Sequence, residues 1–557
     1  MSRSLAPLDS PALRKQRGAF FTPPAIAEYL AKWGIGGRAD AKVLDPTSGE
    51  GVFVLAAARQ LRALGVADSG LSGQVYGVDL HRASINETQS LLSDEQLDAR
   101  LLKGDFFSEI APSQLGGRLP WMDAVVGNPP FVRYQEHRGE VRQRSAAAAL
   151  AQGVRLTGLA SSWAALLVHA CGFLKPDGRV AMVVPSELLT VGYAEPIRRW
   201  LRKRFSTVHL VLFDQLQFSD AEEQVVLLVA GGSGGCDAFA LHQVGDAGDL
   251  SALHPFDATP VAPLAEGKWT DMLMPSDRRS LFRRVAGAHF TELASYGQPE
   301  LGTVTGANKF FALSEATRVQ YGLRAEDLVR IVPPGSRHVP GTRFTEADWE
   351  QQRFEGARVW LLSPTGRAGA GLRRYVAHGE SLGVQEAYKC TIRSPWWRPP
   401  VVPVPDLFFT YMSHRFPRLV ANEARATFVN SMHGVVLRED APPVAKEALP
   451  LLAFNSLTIL GAEILGRSYG GGILKMEPRE AASLPVPNQD LLQTAWAELS
   501  PRRSQFDAAV RAGAWESVID EVDTAVLRQG ARLRADQVAA LRNEALKLRR
   551  RRTRRDI

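Results

Sequence analysis

The chain has 557 residues, 45% of them hydrophobic, and a formal charge of +7 at neutral pH. That length fits two or three domains with cores of their own, and the composition is that of an ordinary globular protein. No apolar run reaches the roughly 18 residues of a membrane span, and the N-terminal MSRSLAPLDSPALRKQRG lacks a signal-peptide core. Cys171, Cys236 and Cys390 are far apart and lack ligand-type spacing, which argues against structural zinc and for a reducing cytoplasm. The positive balance suits a polyanionic partner, a signal shared with many arginine-rich proteins that bind no nucleic acid.

The first patterned stretch, AKVLDPTSGEGVFVLAAARQL, reads as a short strand, a glycine-bearing turn and an amphipathic helix from about Val52. Gly49 and Gly51 allow a tight turn and close approach of a ligand. Val54 replaces the third glycine of the dinucleotide fingerprint, and Asp45 would face a pyrophosphate unfavourably. An acid here instead suits a ligand carrying a cationic amino-acid group. The strand QVYGVDL ends in Asp79, placed for a ribose diol. ARLLKGDFF ends in Asp105, followed by Phe106 and Phe107, an acceptor and rings suited to an adenine. Taken singly, each acid reads as a turn or cap residue; in register along one sheet, they describe a nucleoside site.

The run MDAVVG then delivers Asn128, Pro129, Pro130 and Phe131 at the carboxyl edge of the sheet. Two prolines cannot extend a ladder and stiffen the backbone. The Asn128 amide, the Pro129 carbonyl and the Phe131 ring suit a planar amino group on a flat ring. An Asn-Pro turn with an aromatic plug is the alternative reading of the tetrapeptide alone.

These motifs resemble the gamma group of amino-group DNA methyltransferases, which includes the TaqI-type adenine-N6 methylases. GAFFTPPAIAEYL resembles that family's first segment, with Thr22 at the position contacting the methionine carboxylate. DPTSGEGVF, Asp79, the pair Asp105 and Phe106, and NPPF match its later motifs in order. LKPDGRVAMVVPSELL resembles the strand after the catalytic motif, and Phe218 in FDQLQFSDAEEQVVLLVA matches a second ring against the extruded base. The catalytic-domain resemblance covers roughly residues 18 to 231.

The resemblance implies a Rossmann-like, S-adenosylmethionine-dependent fold with a mostly parallel, doubly wound α/β sheet. It implies methyl transfer to the N6 amine of an adenine flipped out of double-stranded DNA and stacked between Phe131 and Phe218. Asn128 and Pro129 would accept hydrogen bonds from that amine; no metal is needed, and no convincing general base is visible in the sequence. A restriction-modification role follows, with a separately encoded endonuclease as a further expected partner. The alternative is a methyltransferase acting on RNA or on a protein glutamine amide, since NPPY-type motifs occur there too. A non-enzymatic DNA-binding scaffold would need a broken motif, and none is visible.

The Arg-rich stretch after the motif, with Arg133, Arg138, Arg142, Arg144 and Arg155, reads as a solvated excursion or as a loop along DNA, the second being favoured. GGSGG at 231–235 reads as the flexible close of the catalytic domain. Residues 236–490 read as a mixed α/β target-recognition domain, in which Lys389, Arg393, Trp396, Trp397 and Arg398 suit a groove surface, the tryptophans reading equally as core residues. Arg337 and His338 are looser candidates on a loop. Residues 491–557 read as a helical appendage whose final RRRRTRR is a solvated tail.

Overall fold

The strands that end in Asp45 and Asp79 are short, mostly buried and parallel, whereas the parallel strand ahead of Asp105 has no buried residue. In the computed structural model, which describes residues 22–132, 139–158, 160–213, 225–253, 259–261, 268–469 and 472–553, the chain divides into two units, Met1–Met272 and Leu273–Ile557. The first is built on a nine-stranded sheet. Its strands are β1 (Val43–Asp45), β2 (Val75–Asp79), β3 (Arg100–Lys103), β4 (Met122–Gly127), β5 (Leu174–Pro185), β6 (Thr207–Phe213), β7 (Val225–Gly231), β8 (Phe239–Val244) and β9 (Thr259–Val261).

Their order is β3-β2-β1-β4-β5-β7-β6-β8-β9. β1 pairs in parallel with both β2 and β4, and β5 continues in parallel on β4. β7 is antiparallel to its neighbours β5 and β6. The order therefore reverses between β1 and β4, and open α/β sheets bind ligands outside the carboxyl ends of strands at such a switch point. Every residue of β4 and β7 is buried, as expected of strands covered on both faces.

Local chemistry sets the helices that frame this edge. Helix α1 (Pro24–Ile35) starts on a proline, whose missing N–H costs nothing in the first turn. It stops at Gly36 in the left-handed conformation, whose N–H returns to the Lys32 carbonyl. Ile26, Leu30 and Ile35 form its buried stripe, each contributing roughly 1.5–3 kcal/mol of apolar burial. Helix α2 (Val52–Ala63) follows the glycine turn at the expected residue. Its Val54 occupies the place of the missing third glycine, and the close packing is supplied from the strand instead: a Cβ on Gly77 would lie 3.1 Å from Val54 Cγ2.

GGSGG is not a domain boundary in the sheet. It turns β7 into β8, which pairs in parallel with β6 and carries β9 at the edge. The segment looks like a linker by composition because a connection that crosses one strand of a sheet and a linker ask for the same residues. Among the described residues, no single helix is long and apolar enough to cross a membrane.

The second unit is mixed α/β. A five-stranded sheet runs Gly297–Leu301, His433–Leu437, Leu407–Phe409, Leu419–Asn422, Arg343–Phe344, flanked by small two- and three-stranded sheets. One apolar core extends from Met274 through Phe409, Leu457 and Trp496 to Leu541 and Leu548, so the helical segment after residue 490 is part of it. Polar ties reinforce the packing. Asp507 accepts from Thr342 N (2.7 Å), Arg511 meets Asp348 (2.7 Å), and Asp523 accepts from Ser456 N (2.7 Å). The arginine run is likewise structured through residue 553. It continues the helix Ala535–Thr553, and Arg552 is buried against Glu463 at 2.8 Å while bonding the carbonyls of His414, Arg415 and Gly472. A run of like charges reads as solvated only until its buried counter-ion, 89 residues away, is known.

Candidate active site

The carboxyl ends of β1, β2 and β4 gather the residues that the motifs single out. Asp45 closes β1 and is 2% exposed. Its Oδ1 accepts from Thr47 N at 3.1 Å, while Oδ2 is buried with no hydrogen-bond partner among the described residues. Burial pushes its pKa from an ordinary 3.8 up to about 8, opposed by the Thr47 N–H and reinforced by the nearby Asp79. A buried carboxyl with an open oxygen calls for a cationic group, which fits the ammonium of a methionine moiety.

The turn between β1 and α2 is shaped around Asp79. Gly49 N donates to Asp79 Oδ2 at 2.9 Å, and His81 N donates to Oδ1 at 2.7 Å. Gly51, at φ +82°, begins α2 where a Cβ would lie 2.5 Å from Thr88 Cγ2, so both conformation and space require glycine. Asp79 thus holds the glycine loop against the end of β2.

Asp105 caps a short 3-10 turn, accepting from Phe107 N at 3.0 Å. Its other oxygen lies 3.2 Å from Arg144 Nη2, on helix α3 (Gly139–Ala151). No local pattern announces this pairing, because the two residues are separated by β4 and the loop that follows it. Phe106 is packed inward, its ring 5.0 Å from the buried His169 and 5.1 Å from Phe173, and its carbonyl bonds His169 Nε2. Phe107 is the half-buried ring of the pair.

The tetrapeptide Asn128, Pro129, Pro130 and Phe131 leaves β4 directly beside these residues. A Cβ on Gly127 would lie 2.9 Å from Asp45 Oδ1, which sets the distance between the two motifs. Asn128 Nδ2 donates to Thr22 Oγ1 at 3.1 Å, bringing the segment ahead of α1 against the loop after β4. Pro129 is buried and Phe131 is 8% exposed. The backbone on either side of Phe131 is held by Ser162, a residue that no motif pointed to. Thr22, Asp45, Gly49, Gly51, Asp79 and Asn128 are therefore joined by direct contacts or by their shared turn, and Asp105 stands at the end of the neighbouring β3 strand.

Other expected residues fall elsewhere. Arg133, Arg138 and Phe218 lie outside the described residues. Arg155 is exposed, whereas Arg144 is turned toward Asp105. In the second unit, Lys389 is exposed beside the Tyr388 ring. The Arg393 guanidinium is taken up by the carbonyls of Val304 and Thr305, a use of the cation to fix a loop. Trp396 packs on Phe310 in a core, and Trp397 lies under Arg398. Arg337 donates to its neighbour His338.

Comparison with known proteins divides the chain in a similar way. Residues 10–228 match the N-6 DNA Methylase family, and residues 266–527 match the C-terminal domain of Type II methyltransferase M.Eco57I. The chain is 21% identical over 478 residues to Type II methyltransferase M.AccI of Acinetobacter calcoaceticus, covering 84% of each protein. It is 22% identical over 496 residues to Type II methyltransferase M.XamI of Xanthomonas campestris pv. amaranthicola, covering 85% of this chain and 86% of that one. Among solved structures, the type IIG restriction endonuclease BpuSI is a remote neighbour, with a TM-score of 0.43 and 14% identity over 97% of this chain and 67% of that one. The chain belongs to the gamma-class N6-adenine DNA methyltransferases.

Proposed function

We propose that this protein is the modification enzyme of a restriction-modification system, methylating the N6 amine of one adenine within a specific sequence of double-stranded DNA. The observation that carries this reading is the bond of Asn128 to Thr22, with the preceding Gly127 packed closely on Asp45, at the switch point of the sheet. This arrangement supports reading residues 128–131 as the motif for the target amine and Asp45 as the acid for the cofactor's ammonium.

In this reading, Asp45 and Thr22 hold the methionine end of S-adenosylmethionine, Asp79 holds its ribose, and Asp105 with the Phe107 ring holds its adenine, the Phe106 ring being packed inward. The open oxygen of Asp45 is the feature that fits the group. Bound there, S-adenosylmethionine supplies a methyl group already activated by a sulfonium.

The chain's own residues have the remaining work of orientation. The side-chain oxygen of Asn128 and the carbonyl of Pro129 accept from the target amine, favouring a pyramidal nitrogen with a localised lone pair. Phe131 stacks on the extruded base, with Phe218 as the proposed second ring. Two neutral acceptors and a ring make a site whose catalytic power lies in alignment. The amine proton leaves to solvent after transfer.

Lys389, Arg133 and Arg138 are proposed DNA contacts, and a separately encoded endonuclease is the proposed companion activity. The test is transfer of labelled methyl from S-adenosylmethionine to unmethylated genomic DNA, followed by nucleoside analysis. Wild type should yield N6-methyladenine, and Asn128→Ala should yield none while still binding S-adenosylmethionine. Near-normal turnover by that variant, or label found only in RNA or in protein glutamine, would overturn the reading.

A further inference from the structure

We propose that Ser162 is a positioning residue for the transfer step, acting through the backbone that carries Phe131. The inference rests on the reading of residues 128–131 as the transfer motif. Two consecutive prolines remove two N–H donors from this loop, so few backbone groups remain by which the protein can grip it.

Ser162 grips it on both sides of the ring. Its Oγ donates to the Pro130 carbonyl and accepts from Val132 N at 2.9 Å, while its own N–H donates to the Val132 carbonyl at 3.0 Å. One hydroxyl thus uses its donor and an acceptor site on the residues that flank Phe131. Ser162 is 4% exposed, so water cannot readily replace these bonds.

The grip has a firm base. Ser162 is the first residue of helix α4 (Ser162–Ala170), every residue of which is buried. Trp163, the next residue, is fully buried and its indole N–H is bonded to Glu187 and Tyr193 near the exit of β5. The loop is therefore tied to the start of a buried helix, and the backbone on both sides of Phe131 is held by a residue 31 positions away in the chain. Misplacement of a stacking surface reduces alignment in the reacting complex more than it reduces cofactor binding.

The experiment compares Ser162→Ala, Ser161→Ala and Asn128→Ala in the full-length chain. It measures single-turnover methyl transfer to unmethylated genomic DNA, S-adenosylmethionine affinity by calorimetry, and thermal stability. Ser162→Ala should slow transfer about tenfold, the scale of one net hydrogen bond, with cofactor affinity within about twofold of wild type on that scale. Ser161→Ala, whose hydroxyl meets Tyr193 rather than the loop, should transfer at the wild-type rate.

A wild-type rate in Ser162→Ala would overturn the proposal. So would a parallel loss of rate and cofactor affinity, or an equal loss in Ser161→Ala, since each marks general damage to the helix start. An active Asn128→Ala would instead overturn the underlying reading of the motif, whatever Ser162→Ala does.

Discussion

Replacing Asp45 by asparagine separates two demands on a single buried carboxyl. Its folded pKa is about 8 against an ordinary 3.8, with burial as the main cause. A raised folded value means the group contributes full stability below about pH 4, which is lost progressively as pH rises through about 8. At pH 7 roughly three units of that gap have been crossed, so the free protein carries a deficit on the order of 4 kcal/mol at about 1.4 kcal/mol per unit. The substituted amide would keep an acceptor for the Thr47 N–H and carry no charge. Urea unfolding of both proteins between pH 4.5 and 9 measures the difference, following the transition that S-adenosylmethionine shifts in wild type. Asp45→Asn should gain stability relative to wild type as pH rises to about 8 and run parallel above it, while binding S-adenosylmethionine more weakly. A gap independent of pH, or a variant that binds the cofactor as tightly as wild type, would refute the electrostatic argument.

Three further substitutions probe other parts of the account. Phe131→Ala removes the proposed stacking face and should lower transfer by about 1–3 kcal/mol, roughly 5- to 150-fold in single-turnover rate; an unchanged rate would remove the ring from the mechanism. Gly51→Ala adds a Cβ at φ +82° and 2.5 Å from Thr88 Cγ2. It should cost roughly 1–3 kcal/mol in denaturant unfolding and weaken cofactor binding, and an unaltered midpoint would contradict it. Arg552→Ala leaves the Glu463 carboxyl buried without its cation and should destabilise the second unit by about 3–5 kcal/mol. A change below about 1 kcal/mol in urea unfolding would show that the pair is dispensable.

The parts of the structure written in short patterns were legible in the sequence. Alternation and glycine placement located the strand ending in Asp45, the turn at Gly49 and Gly51, and the helix from Val52, because each depends on neighbours a few residues away. The packing role of Gly77 was not legible, since it becomes visible only when β2 is laid against α2. Long-range polar contacts were hidden for the same reason: Arg144 looks like one of several solvent-facing cations until helix α3 is placed beside Asp105. Arg393 and Arg552 show that cation-rich segments carry no label saying whether their charges meet phosphate or a buried carbonyl. GGSGG had the composition of a linker and the structure of a turn within one sheet. Ser162 belongs to no motif, and its role is defined only by where the helix start meets the loop.

The central claim is tested most directly by expressing the protein in a host lacking adenine methylation and mapping modified bases in its DNA by single-molecule sequencing. The account predicts N6-methyladenine at one short recurring sequence, absent when Asn128→Ala is expressed in its place. Unmodified adenines throughout the genome, from a protein that binds S-adenosylmethionine, would contradict it.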